Sequence, residues 1–84
     1  MAINQVRKYI WLLDALRRNK KLTFKELNEL WLNDEISQGI ELSIRTFHKW
    51  RIAIEDLFAI NIENEGRGEY RYYISTSYGI DNNP

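Results

Sequence analysis

The chain contains no cysteine, a single histidine, a single methionine and one proline, the last residue, Pro84. Without cysteine there is no disulfide framework and no thiolate metal site, and nothing demands an oxidising compartment. No apolar run approaches the ~20 residues of a membrane-spanning helix. The N-terminus also lacks the apolar core of a secretory signal, so Met1 reads as a true start and the expected location is cytoplasmic, with no membrane partner. The lone His48 has no second histidine beside it, and the nearest carboxylate at helical spacing, Glu55, is seven residues on. Glu26, Glu29, Asp34 and Glu35 lack the alternating ligands and glycine of a calcium loop. No enzyme, catalytic residue, metal or cofactor is therefore expected. No repeat or low-complexity tract is present.

What the chain has is charge sorted into blocks. The formal net charge is zero, with 12 bases and 12 acids, which by itself argues against nucleic acid. Residues 1–25 nevertheless carry seven Lys/Arg against Asp14 alone, and residues 26–42 carry five acids and no base. Residues 43–54 are again purely basic, and residues 55–65 purely acidic. Such sorting makes local patches able to meet phosphates, although solvated helix faces account for the same blocks. At 84 residues the chain is one small domain, and three Trp, five Tyr and three Phe supply the bulk its core needs.

In chain order, Asn4 is a candidate cap for a first helix from about Gln5 to Asn19. Val6, Tyr9, Ile10, Leu13 and Leu16 form its expected buried face, widened by Trp11 and Leu12. Arg17 and Arg18, followed by Lys20 and Lys21, suit the negative end of the helix dipole, with a backbone-phosphate contact as the alternative role. Thr23-Phe24-Lys25-Glu26 is a capping box opening a second helix with Leu27, Leu30 and Trp31 apolar. Residues 33–42 form a connection longer than a simple helix-turn-helix turn. Gln38-Gly39 marks a bend, Ile40 or Leu42 pins the segment to the core, and either an extra helical turn or a short strand at residues 40–42 is expected in this connection. Beyond Ile74 the sequence thins out, and residues 76–84 read as a linker or a fragment boundary.

Residues 41–74 organise the rest. Ser43 is a cap candidate, after which Ile44, Phe47, Trp50, Ile54, Leu57 and Phe58 recur at three- and four-residue spacing as one apolar stripe. Arg45, Lys49, Ile52 and Asp56 lie opposite, with His48 on the flank. Ile60 and Ile62 then alternate with Asn61 and Glu63, Glu65-Gly66-Arg67-Gly68-Glu69 turns the chain, and Tyr70 to Ile74 returns it. On the returning strand Tyr72 and Ile74 are expected inward, and Arg71 and Tyr73 outward. The pattern predicts an α+β, mainly α, winged helix-turn-helix over residues 1–75, with three helices and a C-terminal β-hairpin wing.

Ser43-Ile44-Arg45-Thr46-Phe47 resembles the opening of the recognition helix in DeoR-type winged-helix regulators. Continued through Phe47-His48-Lys49-Trp50-Arg51, Ala53-Ile54-Glu55, Phe58-Ala59-Ile60 and Tyr70-Arg71-Tyr72-Tyr73-Ile74, the pattern is similar to the N-terminal domain of bacterial WYL-domain transcriptional regulators, in the form found in Bacteroides relatives. The likeness is looser over residues 1–40, and Lys49-Trp50-Arg51 departs from the basic, acidic, apolar continuation of many DeoR-type helices. The resemblance implies a nucleoid-associated regulator whose C-terminal WYL sensor domain does not lie within these 84 residues, and a homo-oligomer in the full-length protein.

Two functions of different class follow. In the first, the third helix enters the major groove of double-stranded DNA. Arg45 and Lys49, one turn apart, reach guanine acceptors or a phosphate. Thr46 near the helix N-terminus meets a phosphate oxygen, His48 reaches phosphate or a base edge, and Arg67 at the wing tip meets the backbone or minor groove. Arg51, which projects within the apolar sector, snorkels, pairs with an acid such as Glu55, or leaves the core for DNA. In the second, a winged helix docks or dimerises through protein contacts alone, a reading favoured by neutral charge and by Ile52.

Overall fold

Two side-chain caps frame the molecule. The Thr23 hydroxyl accepts from the Glu26 N–H at 3.1 Å while the Glu26 carboxylate accepts from the Thr23 N–H at 2.9 Å, a reciprocal capping box. Ser43 Oγ accepts from the Thr46 N–H at 3.0 Å. Each cap satisfies an amide that the first helical turn leaves open. In this computed structural model, which describes residues 3–75, they open the second and third of three helices: α1 (Ile3–Asn19), α2 (Phe24–Leu32) and α3 (Ile44–Phe58). Because α1 begins at Ile3, Asn4 lies inside its first turn and not at its cap. Residues 76–84, read as a linker, lie outside the described residues.

After α3 the chain forms β2 (Asn61–Glu65) and β3 (Arg71–Ser75), an antiparallel hairpin in the register Ile62↔Ile74 and Glu65↔Arg71. The turn between them is shaped by glycine. Gly66 and Gly68 take φ of 106° and 77°, and a Cβ on Gly66 would sit 2.8 Å from the Glu69 carbonyl oxygen. The fold is α+β and winged-helix-like, as the periodicities predict.

The third strand is a correction. It is β1 (Leu22–Thr23), between α1 and α2, and it pairs with β3 to give the sheet order β1-β3-β2. Of the two alternatives for the connection, the extra helical turn is present, as a 3-10 turn, and residues 40–42 form no strand; side chains of α2 take up main-chain groups there. Trp31 Nε1 donates to the Ile40 carbonyl at 2.7 Å, and the Leu42 N–H donates to Asn28 Oδ1 at 2.8 Å. Leu42, not Ile40, is the residue that pins this connection: it is buried while Ile40 is 68% exposed. Asp34 caps a 3-10 turn at Glu35–Ser37 and also accepts from Trp11 Nε1 at 3.1 Å.

The core collects Leu12, Ala15 and Leu16 from α1, Leu22 from β1, Leu27 and Trp31 from α2, Leu42 from the connection to α3, Phe47, Trp50 and Ile54 from α3, and Ile62 and Tyr72 from the wing. Its aromatic rings meet edge to face: Trp31 lies 5.1 Å from Trp11 and 5.4 Å from Trp50, and Phe47 lies 4.8 Å from Tyr72. Each such pair adds about 0.5–1.5 kcal/mol beyond its area burial. Of the expected α1 face, Leu12 and Leu16 are buried and Tyr9, Trp11 and Leu13 pack against the core, but Val6 and Ile10 are exposed and Ala15 is buried in their place. Eight apolar residues crowd this helix after Asn4, more than one face can hold, and the side that meets the tryptophans goes inward. In α3 the buried part of the stripe is Phe47, Trp50 and Ile54, while Ile44, Leu57 and Phe58 remain exposed. No helix of the described residues is long and apolar enough to cross a membrane.

Candidate nucleic-acid interface

Helix α3 carries most of the residues in question, and its packing sorts them into two groups. Burial of Phe47, Trp50 and Ile54 turns the opposite face outward. Arg45 and Lys49 are exposed there, four residues and one turn apart, followed by Ile52 at 66% exposure. Among the described residues neither base has an ion-pair partner, so both heads are available to an anion. Thr46 is half-buried at the cap. Its Oγ1 accepts from Ser43 Oγ at 2.9 Å, which leaves the Thr46 hydroxyl proton to be donated outward.

His48 and Arg51 belong to the second group. Both are half-buried on the side of α3 that meets the wing. The His48 ring stands edge-on to Tyr72 at 6.3 Å, and the Arg51 guanidinium lies over the same ring at 5.5 Å. Arg51 Nε donates to the Ile62 carbonyl at 3.1 Å, while Glu55, one turn on, accepts from the Ile62 N–H at 2.8 Å. Of the alternatives for Arg51, snorkelling describes its position: its stem lies against the core rim and its head is bonded to β2. The structure does not bring it onto the Arg45–Lys49 face.

The wing tip lies close to the start of α3. Gly68, Glu69 and Tyr70 line one cleft with Ile44 and with Thr23, Phe24 and Lys25. Arg67, exposed between its two glycines, directly precedes these tip residues but does not itself line the cleft. Lys25 was not singled out by sequence reasoning, which saw it only as the third residue of a capping box. Its role as a wall of this cleft depends on a wing that folds back from more than forty residues away. The hairpin strands themselves are mostly acidic on their outer side, where Glu63 and Glu65 pair with Tyr73 and Arg71. Glu65 is engaged by Lys21 Nζ at 2.9 Å, and Lys21 also stands over the Tyr73 ring at 5.5 Å. Positive charge on the wing is thus confined to Arg67 at its tip and Arg71 beside β1. In comparison with known proteins, the chain matches no family model, no curated protein and no solved structure.

Proposed function

We propose that this domain binds double-stranded DNA in a sequence-specific manner, with α3 as the reading helix, as the N-terminal domain of a bacterial transcriptional regulator of the WYL type. The observation that carries the reading is the exposed face of α3, where Arg45 and Lys49 stand free one turn apart at the helix's N-terminal half. A side chain at that place reaches base edges when a helix enters the major groove. Arg45 donates bidentately to guanine O6 and N7, and Lys49 donates to the same acceptors or to a phosphate. Thr46 and the α3 N-terminus hold a phosphate oxygen, and Arg67 and Lys25 approach the flanking backbone. His48 and Arg51 hold the wing against α3 and so set the angle at which the tip meets the duplex.

The test begins with selection of bound duplexes from a random pool, followed by titration of the selected and a scrambled duplex at two salt concentrations. Arg45→Ala is expected to cost roughly 1–3 kcal/mol on the selected sequence and to relax preference at one base pair. Unchanged affinity and preference in a folded Arg45→Ala variant would remove α3 as the reading element.

A second reading, docking to another protein, rests on Ile52, the apolar residue that extends the same exposed face. Salt distinguishes the two. Binding through phosphates weakens steeply as salt rises, and binding through an apolar patch does not.

A further inference from the structure

Helix α1 has a second apolar face that the other described residues leave largely uncovered. Val6 and Ile10 are 49% and 50% exposed, and Leu13 is half-buried beside them. With Arg17 these residues recur at intervals of four, three and four, the spacing of a helix–helix seam. The charges on one flank of that seam carry the information about its occupant. Arg7 and Asp14 each follow a seam residue directly, so they lie on the same flank, two turns apart, with opposite signs. Arg7 has no ion-pair partner among the described residues. Asp14 uses Oδ2 to hold Arg18 Nε at 2.9 Å in an exposed intrahelical pair, and its other oxygen is available.

We infer that this face pairs with the same face of a second copy of the chain, α1 against α1 in antiparallel orientation about a two-fold axis. When two identical helices pack antiparallel, a flank position on one meets the same flank of the other. Ile10 of each copy then packs beside Leu13 of the other, and Arg7 of each lies beside Asp14 of the other. A parallel pair would not align them so, and an unrelated partner would need a matching pattern that this chain already contains. The groove next to the seam, walled on its far side by Trp11, Asp34 and Ile36, gives the incoming helix its seat. Arg45, Lys49 and Arg67 do not line it. One helix from each copy is a small contact, and the association is weak and concentration-dependent.

The test is sedimentation equilibrium of the full 84-residue chain without DNA, so its outcome is independent of the proposed DNA binding. The apparent mass is expected to rise from monomer towards dimer with concentration. Ile10→Lys should hold the chain monomeric. Arg7→Glu and Asp14→Arg should each raise the dissociation constant about tenfold, and the double variant should restore it. Arg18→Ala, which removes only the intrahelical partner of Asp14, should leave the dimer intact. All these side chains are exposed or half-exposed, and helical circular dichroism with a thermal melt checks that each variant folds. A chain that stays monomeric throughout, a dimer indifferent to Ile10→Lys, or a double charge reversal that fails to rescue overturns the inference.

Discussion

Arg51 Nε donates to the Ile62 carbonyl at 3.1 Å, and through that bond α3 holds the outer strand of the wing. Glu55 completes the arrangement by accepting from the N–H of the same residue at 2.8 Å. Antiparallel strands bond their neighbour at every second residue, so the Ile62 peptide groups face away from β3. Without α3 they would form an open edge next to a buried side chain. Two side chains one helical turn apart close that edge. Glu55→Ala is therefore expected to destabilise the domain by about 1–3 kcal/mol, because it strands a part-buried N–H. Arg51→Ala should cost about 1 kcal/mol. Urea denaturation of each variant measures the difference, and a Glu55→Ala midpoint equal to that of the parent protein would contradict this account.

The two wing glycines differ in what surrounds them. Alanine at Gly68 meets only the cost of a positive φ, about 1 kcal/mol, since nothing lies within 4 Å of its Cβ. Alanine at Gly66 meets that cost and also the Glu69 carbonyl at 2.8 Å, so the tip has to move. Gly66→Ala should lose more stability than Gly68→Ala and shift the amide resonances of residues 65–70. Equal melting temperatures with an unchanged tip would show the close contact to be irrelevant.

The Lys21–Glu65 pair joins the end of α1 to the wing across 44 residues, yet both side chains are about half exposed. Exposed pairs of this kind contribute about 0–1 kcal/mol and are screened by salt. Lys21→Ala should lower stability by less than about 1 kcal/mol, and the loss should shrink as salt is raised. A larger, salt-independent loss would point instead to the packing of Lys21 over Tyr73.

Arg67 stands on the outermost turn, and its expected part in binding is positional. Arg67→Ala should weaken selected and scrambled duplexes alike and lower the salt slope by roughly one phosphate contact, while Arg45→Ala acts on selectivity. Titrations of both variants at two salt concentrations separate these effects. Loss of sequence preference on removing Arg67 would move the reading function to the wing.

The caps at Thr23 and Ser43, the bounds of α2 and α3, the inward Phe47, Trp50, Ile54 and Tyr72, and the glycine turn around Arg67 were all legible in the sequence. Each depends on residues within about four positions of one another, where helical and strand periodicity act directly. The exposed Arg45–Lys49 face followed for the same reason, as the opposite side of a stripe already identified. Tertiary structure alone decided the rest. It kept Leu12 and Leu16 inside but took Ala15 in place of Val6 and Ile10, because a helix with apolar residues on several sides buries whichever side meets its neighbours. It placed the third strand at Leu22–Thr23, because the peptide groups of Ile40 and Leu42 are taken by Trp31 and Asn28. It also turned Arg51 from a possible reader of DNA into the residue that holds β2, through a partner eleven residues away that no local pattern identifies. Pairings between distant segments are settled by which polar groups remain to be satisfied once the core has closed, and that is known only after the chain has folded.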